Sequence, residues 1–371
     1  ARTSGNDNVA VGAYCMNAVA TGGNNVGVGK SSLHNMTSGY NNTAVGLNAL
    51  FAVTTGFENV CIGTYSGNDM TGGTRNVGVG YNTLNGLQAG QNNTAVGYSA
   101  LDALSANTFS NTALGSFAGS AITSGQNNVA IGVAALGGCN TGGSNIAIGD
   151  ETLQSLTSSG ENTAVGKASA PNLTTGSGNA LLGFSSGGGL TTGNNNVLLG
   201  QNAGDNITTG SNSICIGNSA DVNNNNAALR IVIGANVSGG SDYQVTIGND
   251  SIGKIQNSFN SNATWTRTSD IKYKKDILDN TDCGLNFVND LRTVTYKWKK
   301  TEDRTPTHTD KMYGFIAQEV KEALDKNNIT DFNGWTQDED GTQGVSYEMF
   351  IMPLVKAVQE LSAKVTALEA A

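Results

Sequence analysis

Ser269 and Lys274 are the residues of this chain whose types and spacing could do chemistry, in the run Ser269-Asp270-Ile271-Lys272-Tyr273-Lys274-Lys275-Asp276-Ile277. A serine hydroxyl is a poor nucleophile until a base removes its proton, and a lysine serves as that base only where burial lowers its pKa toward neutrality. Attack on the carbonyl that precedes the serine gives an ester, which water then hydrolyses. A pair placed at a seam between two unlike halves suggests a chain that cuts itself there. Asp270 is read as holding the local turn. Taken alone, the pair reads more simply as a turn serine and a solvated lysine.

The seam is visible in the composition. Of the 49 charged residues, 16 fall in 1–250 and 33 in the last 121. Gly is 50 of 371 residues, Pro only 3 and aromatics 6%, which does not describe an ordinary globular chain. Regularly spaced valines and isoleucines argue against disorder. The net charge of -9 disfavours a nucleic-acid partner or an anionic membrane surface. No apolar run approaches the ~20 residues that span a bilayer, so no membrane insertion is expected. No basic and apolar leader is visible at the N-terminal end, where Ala1 stands in place of Met.

Residues 1–250 are a repeat. A unit resembling Asn-Thr-Ala-Val-Gly closes on Gly12, Gly29, Gly46, Gly63, Gly80, Gly97, Gly115, Gly132, Gly149, Gly166, Gly183, Gly200, Gly217, Gly234 and Gly248. The step is 17 residues except for one of 18 and a last one of 14. Within Asn42-Thr43-Ala44-Val45-Gly46 the period of two puts Thr43 and Val45 on one face and Ala44 on the other. Across the copies one face is branched and apolar, the other mostly small. Segments such as Thr54-Thr55-Gly56 read as tight turns with a positive φ at the glycine. A unit this short cannot bury its own apolar face, so the array predicts a β-solenoid or β-roll, a rod of roughly 70 Å at one coil per repeat. The paired asparagines at 24–25, 41–42, 92–93, 127–128 and 194–196 are expected to form turns and stacked ladders rather than bind a ligand.

The repeat has no regular Asp for a calcium-binding roll and no flat threonine grid for an ice-binding face. Cys61 and Cys215 share one repeat position, and with an odd total of 5 cysteines they read as small apolar fillers in a reduced compartment. His34 and His308 have no partners at metal-ligand spacing and read as surface residues. No metal or cofactor site is expected, and clustered carboxylates for a glycan hydrolase are lacking.

The repeat resembles the heads of trimeric adhesins, whose shorter units also centre on Asn-x-Ala-Ile/Val-Gly, and the repeats that precede chaperone domains in phage tail fibres. That resemblance implies three parallel chains with the small-residue face near the three-fold axis. The sequence alone equally permits a single-chain solenoid.

Residues 251–268 lose the period and read as a connector, with Trp265 placed to cap the repeat core. From 269 the chain reads as a small α+β domain. Leu285, Val288 and Leu291 have helical spacing, and Val294, Tyr296 and Trp298 alternate with polar residues as a half-buried strand. Thr305-Pro306-Thr307 marks a loop, and Asp338 to Gly341 an acidic turn. Phe315, Ile316, Val320, Ala323 and Leu324 outline an amphipathic helix. Tyr347, Ile351, Leu354, Val358, Leu361, Val365 and Leu368 form a heptad seam for helix self-association; the alternative is one amphipathic helix packing on its own domain.

Three ordered stretches then carry a specific resemblance: Ser269 to Ile277, Tyr313-Gly314-Phe315-Ile316-Ala317-Gln318-Glu319-Val320, and Val345-Ser346-Tyr347 leading into Leu354-Val355-Lys356-Ala357-Val358-Gln359-Glu360-Leu361. They look like the endosialidase-type intramolecular chaperone, the auto-processing domain that ends phage tail spikes and fibres. In that family the domain trimerises, guides folding of a β-rich stem and cuts itself off. Carried over, Ser269 is the nucleophile, Lys274 its base, and the bond between Thr268 and Ser269 is cut. Lys272 and Tyr273 depart from the family's Arg and Leu, and Tyr273 bears on the packing around Lys274.

The expectation is therefore a virion tail fibre, folded in a host cytoplasm and self-cleaving once in cis, with no turnover of an external substrate. It is a homotrimer that meets other tail proteins and a host-surface glycan or protein receptor. The competing reading is a surface adhesin or structural virion fibre that keeps its folding domain.

Overall fold

The computed structural model describes residues 5–105, 107–226, 228–258, 266–267, 269–297, 311–338 and 341–371. Outside them lie Thr268, Trp265, Trp298, the loop around Pro306, His308, Glu339 and Asp340, and residues 259–264 of the connector. The chain forms two compact units, Ala1–Thr268 and Ser269–Ala371.

The first unit is a β-solenoid of about 14 turns. Each repeat up to the last coils contributes one three-residue strand, such as Val26–Val28, Thr43–Val45 and Val60–Ile62, and near the end Ala220–Val222 and Val237–Gly239 add a second parallel pair. Each strand pairs in parallel with the strands one repeat before and after it, Val26 opposite Thr43 and Thr43 opposite Val60. The 18-residue step keeps the register, since Thr94 still faces Thr112. The parallel ladder ends at Gln244–Asn249, which pairs antiparallel with Gly253–Ser258. That hairpin covers an edge that would otherwise offer unpaired backbone groups.

The small-residue face points into the chain's own coil, not toward an axis shared with other chains. Ala44, Cys61, Ala95, Ala147 and Ala164 are fully buried, while the flanking Val, Ile, Leu and Thr of each strand stay half-buried or exposed. The reason is the width of the coil. Buried leucines on the turn, Leu50, Leu101, Leu136 and Leu153, stand six residues after Ala44, Ala95, Ala130 and Ala147 and take up the interior volume. Where the strand carries a leucine instead, at Leu181 and Leu198, the turn position is Gly187 or Gly204, and a Cβ there would lie 2.5 Å from a leucine methyl. In these two coils the inward bulk moves from the turn to the strand, as a close-packed interior allows, whereas Ala113 with Gly119 and Ala164 with Ala170 carry small residues at both positions.

The closing glycines are set by the backbone. Gly46 has φ +135, and a Cβ on it would lie 2.5 Å from the carbonyl oxygen of Gly63 one coil on. The Thr-Thr-Gly glycines behave differently from expectation. Gly56 does not have a positive φ; its constraint is proximity, with the Gly73 carbonyl 2.6 Å from where a Cβ would be. The left-handed positions fall instead on asparagines and on core leucines such as Asn41, Asn48 and Leu50. A leucine in that region costs roughly 1–2 kcal/mol, which inter-coil bonds such as Leu50 N–H to the Ser66 carbonyl (3.0 Å) help to offset.

The asparagine pairs divide their labour. The first residue of each pair turns the chain, as Asn24, Asn41, Asn92 and Asn127 do with positive φ. The second is buried and forms a ladder. Asn42 accepts at Oδ1 from the backbone N–H (3.1 Å) and Nδ2 (3.0 Å) of Asn59, and donates from Nδ2 to the Gly56 carbonyl at 2.8 Å. The same three bonds recur from coil to coil up to Asn196. Arg230 takes the ladder position two coils later and pairs with Asp242 at 2.8 Å. Cys61 and Cys215 are buried in the strand interior as fillers, and burial pushes both thiols up to about 12. His34 is half-buried and stacks on Phe51 with ring centroids 5.0 Å apart.

The second unit is a small α+β domain. Helix α1 (Leu285–Asp290), α2 (Ala317–Lys326) and α3 (Ile351–Glu369) accompany two hairpins, Val294–Tyr296 with Met312–Gly314 and Trp335–Gln337 with Gln343–Val345. Phe315 and Ile316 precede α2 rather than lie in it. The core is Phe287, Val320, Ala323, Leu324, Ile329 and Phe350. Phe287 is its fully buried centre, whereas Leu285, Val288 and Leu291 are half-buried around it.

Candidate functional site

Ser269 opens the second unit. Asp270 caps a single 3-10 turn, Ile271–Tyr273, by accepting the Lys272 N–H at 3.0 Å. Its other oxygen lies 3.5 Å from Lys272 Nζ. The turn closes with Lys274 N–H donating to the Ile271 carbonyl at 3.0 Å. This one turn shortens the path between positions 269 and 274 enough for their side chains to meet. Lys274 Nζ lies 2.7 Å from Ser269 Oγ. That is hydrogen-bond reach between a nucleophile and a base. Ser269, Asp270 and Lys274 are all exposed. Thr268 and the side chain of Tyr273 lie outside the described residues, so the pair and the capping residue are the geometry on view.

The other two sequence stretches are joined to each other. Tyr347 Oη accepts the N–H of Phe315 at 3.1 Å, and its ring stacks on Phe315 at 5.7 Å between centroids. Gly314 is needed for that approach, since a Cβ there would lie 2.1 Å from Tyr347 Oη. Glu360, on α3, accepts the N–H of Leu285 at 2.8 Å and so caps the first turn of α1. Around α2, Glu319 is paired with Arg292 through two bonds, and Lys326 reaches Asp290 at 2.6 Å. Hydrogen bonds from Lys326 and Asn327 hold the Asp290 carboxyl below the usual carboxylate range, and Arg292 does the same for Glu319. These residues fix the domain's shape.

Residues 269–329 match the family model described as chaperone of endosialidase. The match spans Ser269 to Ile277 and Tyr313 to Val320, while the stretch from Val345 to Leu361 lies beyond it. No curated protein and no solved structure matches the chain. The C-terminal domain is thus an endosialidase-type chaperone domain behind a β-solenoid of about 14 turns.

Two features of the chaperone domain go beyond the residues the motifs mark. Phe287, the core anchor, stands between helically spaced apolar residues, and that placement of an aromatic is its signal in the sequence. Glu360 belongs to the third stretch, and its capping of α1 depends on a contact across 75 residues that no local pattern encodes. Among the described residues no cluster of His, Cys, Asp and Glu could hold a metal ion, and no helix is long and apolar enough to cross a membrane.

Proposed function

We propose that this chain is a phage tail-fibre protein whose C-terminal domain brings three chains into register, directs folding of the β shaft, and then releases itself by one cut between Thr268 and Ser269. The observation that carries the reading is the Ser269–Lys274 pair, 2.7 Å apart at the start of the chaperone domain. Ser269 Oγ gives its proton to Lys274 Nζ and attacks the Thr268 carbonyl carbon. The C–N bond breaks, the amine of Ser269 takes a proton, and the resulting ester is hydrolysed by water. Shaft and chaperone separate with Ser269 as a new N-terminus.

Self-association has a structural counterpart in α3. The helix packs on its own domain through Pro353 and Ala357, and the heptad residues Ile351, Leu354, Val358, Leu361, Val365 and Leu368 face solvent, each at least 45% exposed. An unpartnered a/d stripe of this kind is a seam for like helices. Within each chain the parallel strands pair only with the coils one repeat away, so the step that registering the chains at one end would govern is the meeting of separate chains. Removing the scaffold afterwards leaves a fibre held by its unfolding barrier. Ser269 and Lys274 are exposed on one chain, so burial of the pair by assembly is the step that would arm the lysine as a base. Cleavage then follows assembly. Host attachment through a surface glycan or protein, and contact with other tail proteins, complete the reading.

The test is a full-length recombinant chain analysed by gel and mass spectrometry. Two fragments are expected, the smaller beginning at Ser269, and Ser269→Ala should stay in one piece. Scission of that variant at the same bond would remove Ser269 as nucleophile. A wild-type chain that assembles and stays intact would favour the second reading, a fibre or adhesin that retains its folding domain, for which the exposure of the pair speaks.

A further inference from the structure

The solenoid's interior is closed, but its parallel sheet leaves one face outward. Two residues per strand point that way, and one row is aliphatic throughout: Val28, Ile62, Leu114, Ile148, Leu182, Ile216 and their equivalents, of which these six are each at least 36% exposed. The companion row alternates Val, Ile and Thr with a single Ala180, and neither row carries a charge. Lys30, Asp150 and Lys167 stand only at the flank, one residue after a closing glycine.

We infer that this outward sheet face is where the solenoids of identical chains meet, so that the branched rows, rather than the small residues, line the contact between copies. Three arguments point to a second copy as the occupant. The face is about 70 Å long and about 10 Å wide, from ~4.8 Å per strand and ~3.3 Å per residue. The resulting area of about 700 Å² is close to the ~800 Å² per partner of a stable interface, and larger than the few hundred Å² that soluble monomers usually leave exposed. The rows of side chains also recur at the strand spacing along the whole ladder. Only a partner with the same repeat can match every row, and a copy of this chain has it by construction. Finally, the exposed heptad stripe of α3 offers an independent seam for like chains.

The inference rests on the assembly reading above, and the experiment separates the two. In the full-length chain, Leu182→Cys and Leu114→Cys place thiols on the face, and Ser158→Cys places one on an exposed turn. Under mild oxidation the first two should convert most chains to covalent dimers, and the third should not. Leu114→Lys combined with Leu182→Lys should lower the native mass or abolish the cross-link at a neighbouring strand. If the chain is oligomeric by native mass, but face cysteines do not cross-link and the lysine pair leaves the mass unchanged while Leu361→Lys dissolves it, the face is overturned and the assembly reading stands. A monomeric native mass would remove both.

Discussion

The two units stabilise themselves by opposite means. In the solenoid every coil is satisfied by its neighbour: strand to strand, asparagine to asparagine, closing glycine against closing glycine. Stability is close to a sum over identical interfaces, and charge contributes little until Arg230 near the end. The chaperone domain instead gathers one small aromatic core around Phe287, with Phe332 edge-on and Phe350 stacked against it and Phe315 tilted on Phe350, and ties its surface with ion pairs. Among the described residues each unit nevertheless exposes an apolar surface, the sheet face in one and the heptad stripe in the other.

That contrast can be broken at its strongest point first. Phe287→Ala removes the centre of the chaperone core and should cost about 3–5 kcal/mol. Calorimetry of the full chain is expected to show the C-terminal transition lost or sharply lowered, with that of the solenoid in place. If both transitions move together, the units fold as one and the contrast fails.

A smaller effect is expected in the ladder. Asn128→Ala leaves the N–H and one Nδ2 hydrogen of Asn145 without their acceptor and the Gly142 carbonyl with only the weak Cys139 thiol donor, all in a buried interior. At about 1–3 kcal/mol per orphaned group, partly relieved by local adjustment, the loss should be about 2–3 kcal/mol. Urea unfolding of the solenoid would register it, and a midpoint equal to wild type would mean the ladder adds register but no stability.

The smallest effect is a pH dependence. Asp221 sits half-buried near the end of the solenoid, where desolvation raises its carboxyl from 3.8 to about 6. A raised folded-state pKa means that the native state holds the proton more tightly than the unfolded chain. The contribution is therefore fully present below pH 3.8 and is lost as the pH rises through about 6. Allowing for partial solvent screening, roughly 1–2 kcal/mol is involved. Asp221→Asn should flatten the difference in hydrogen-exchange protection of the last coils between pH 4 and pH 7. Unchanged pH dependence in that variant would assign it to another group.

Much of this protein is written locally. The 17-residue step, the closing glycines and the paired asparagines are each needed once per coil, so stacking repeats them and the eye finds the period. Ser269, Asp270 and Lys274 lie within one turn of each other, and their proximity follows from local geometry. The three motifs in order likewise mark the chaperone domain without any knowledge of its contacts.

What the sequence could not decide is direction and distance. An alternating strand has two faces, and nothing in Thr43-Ala44-Val45 says which one the coil encloses. The left-handed residues at Asn48 and Leu50 turn the chain back so that Leu50 fills the interior, and only a small residue fits opposite it. The general preference for large apolar side chains inside is thereby reversed along the strand, and the branched rows are left outward. Tyr347 against Gly314 and Glu360 on α1 join residues far apart in the chain, and the tertiary fold alone brings them together.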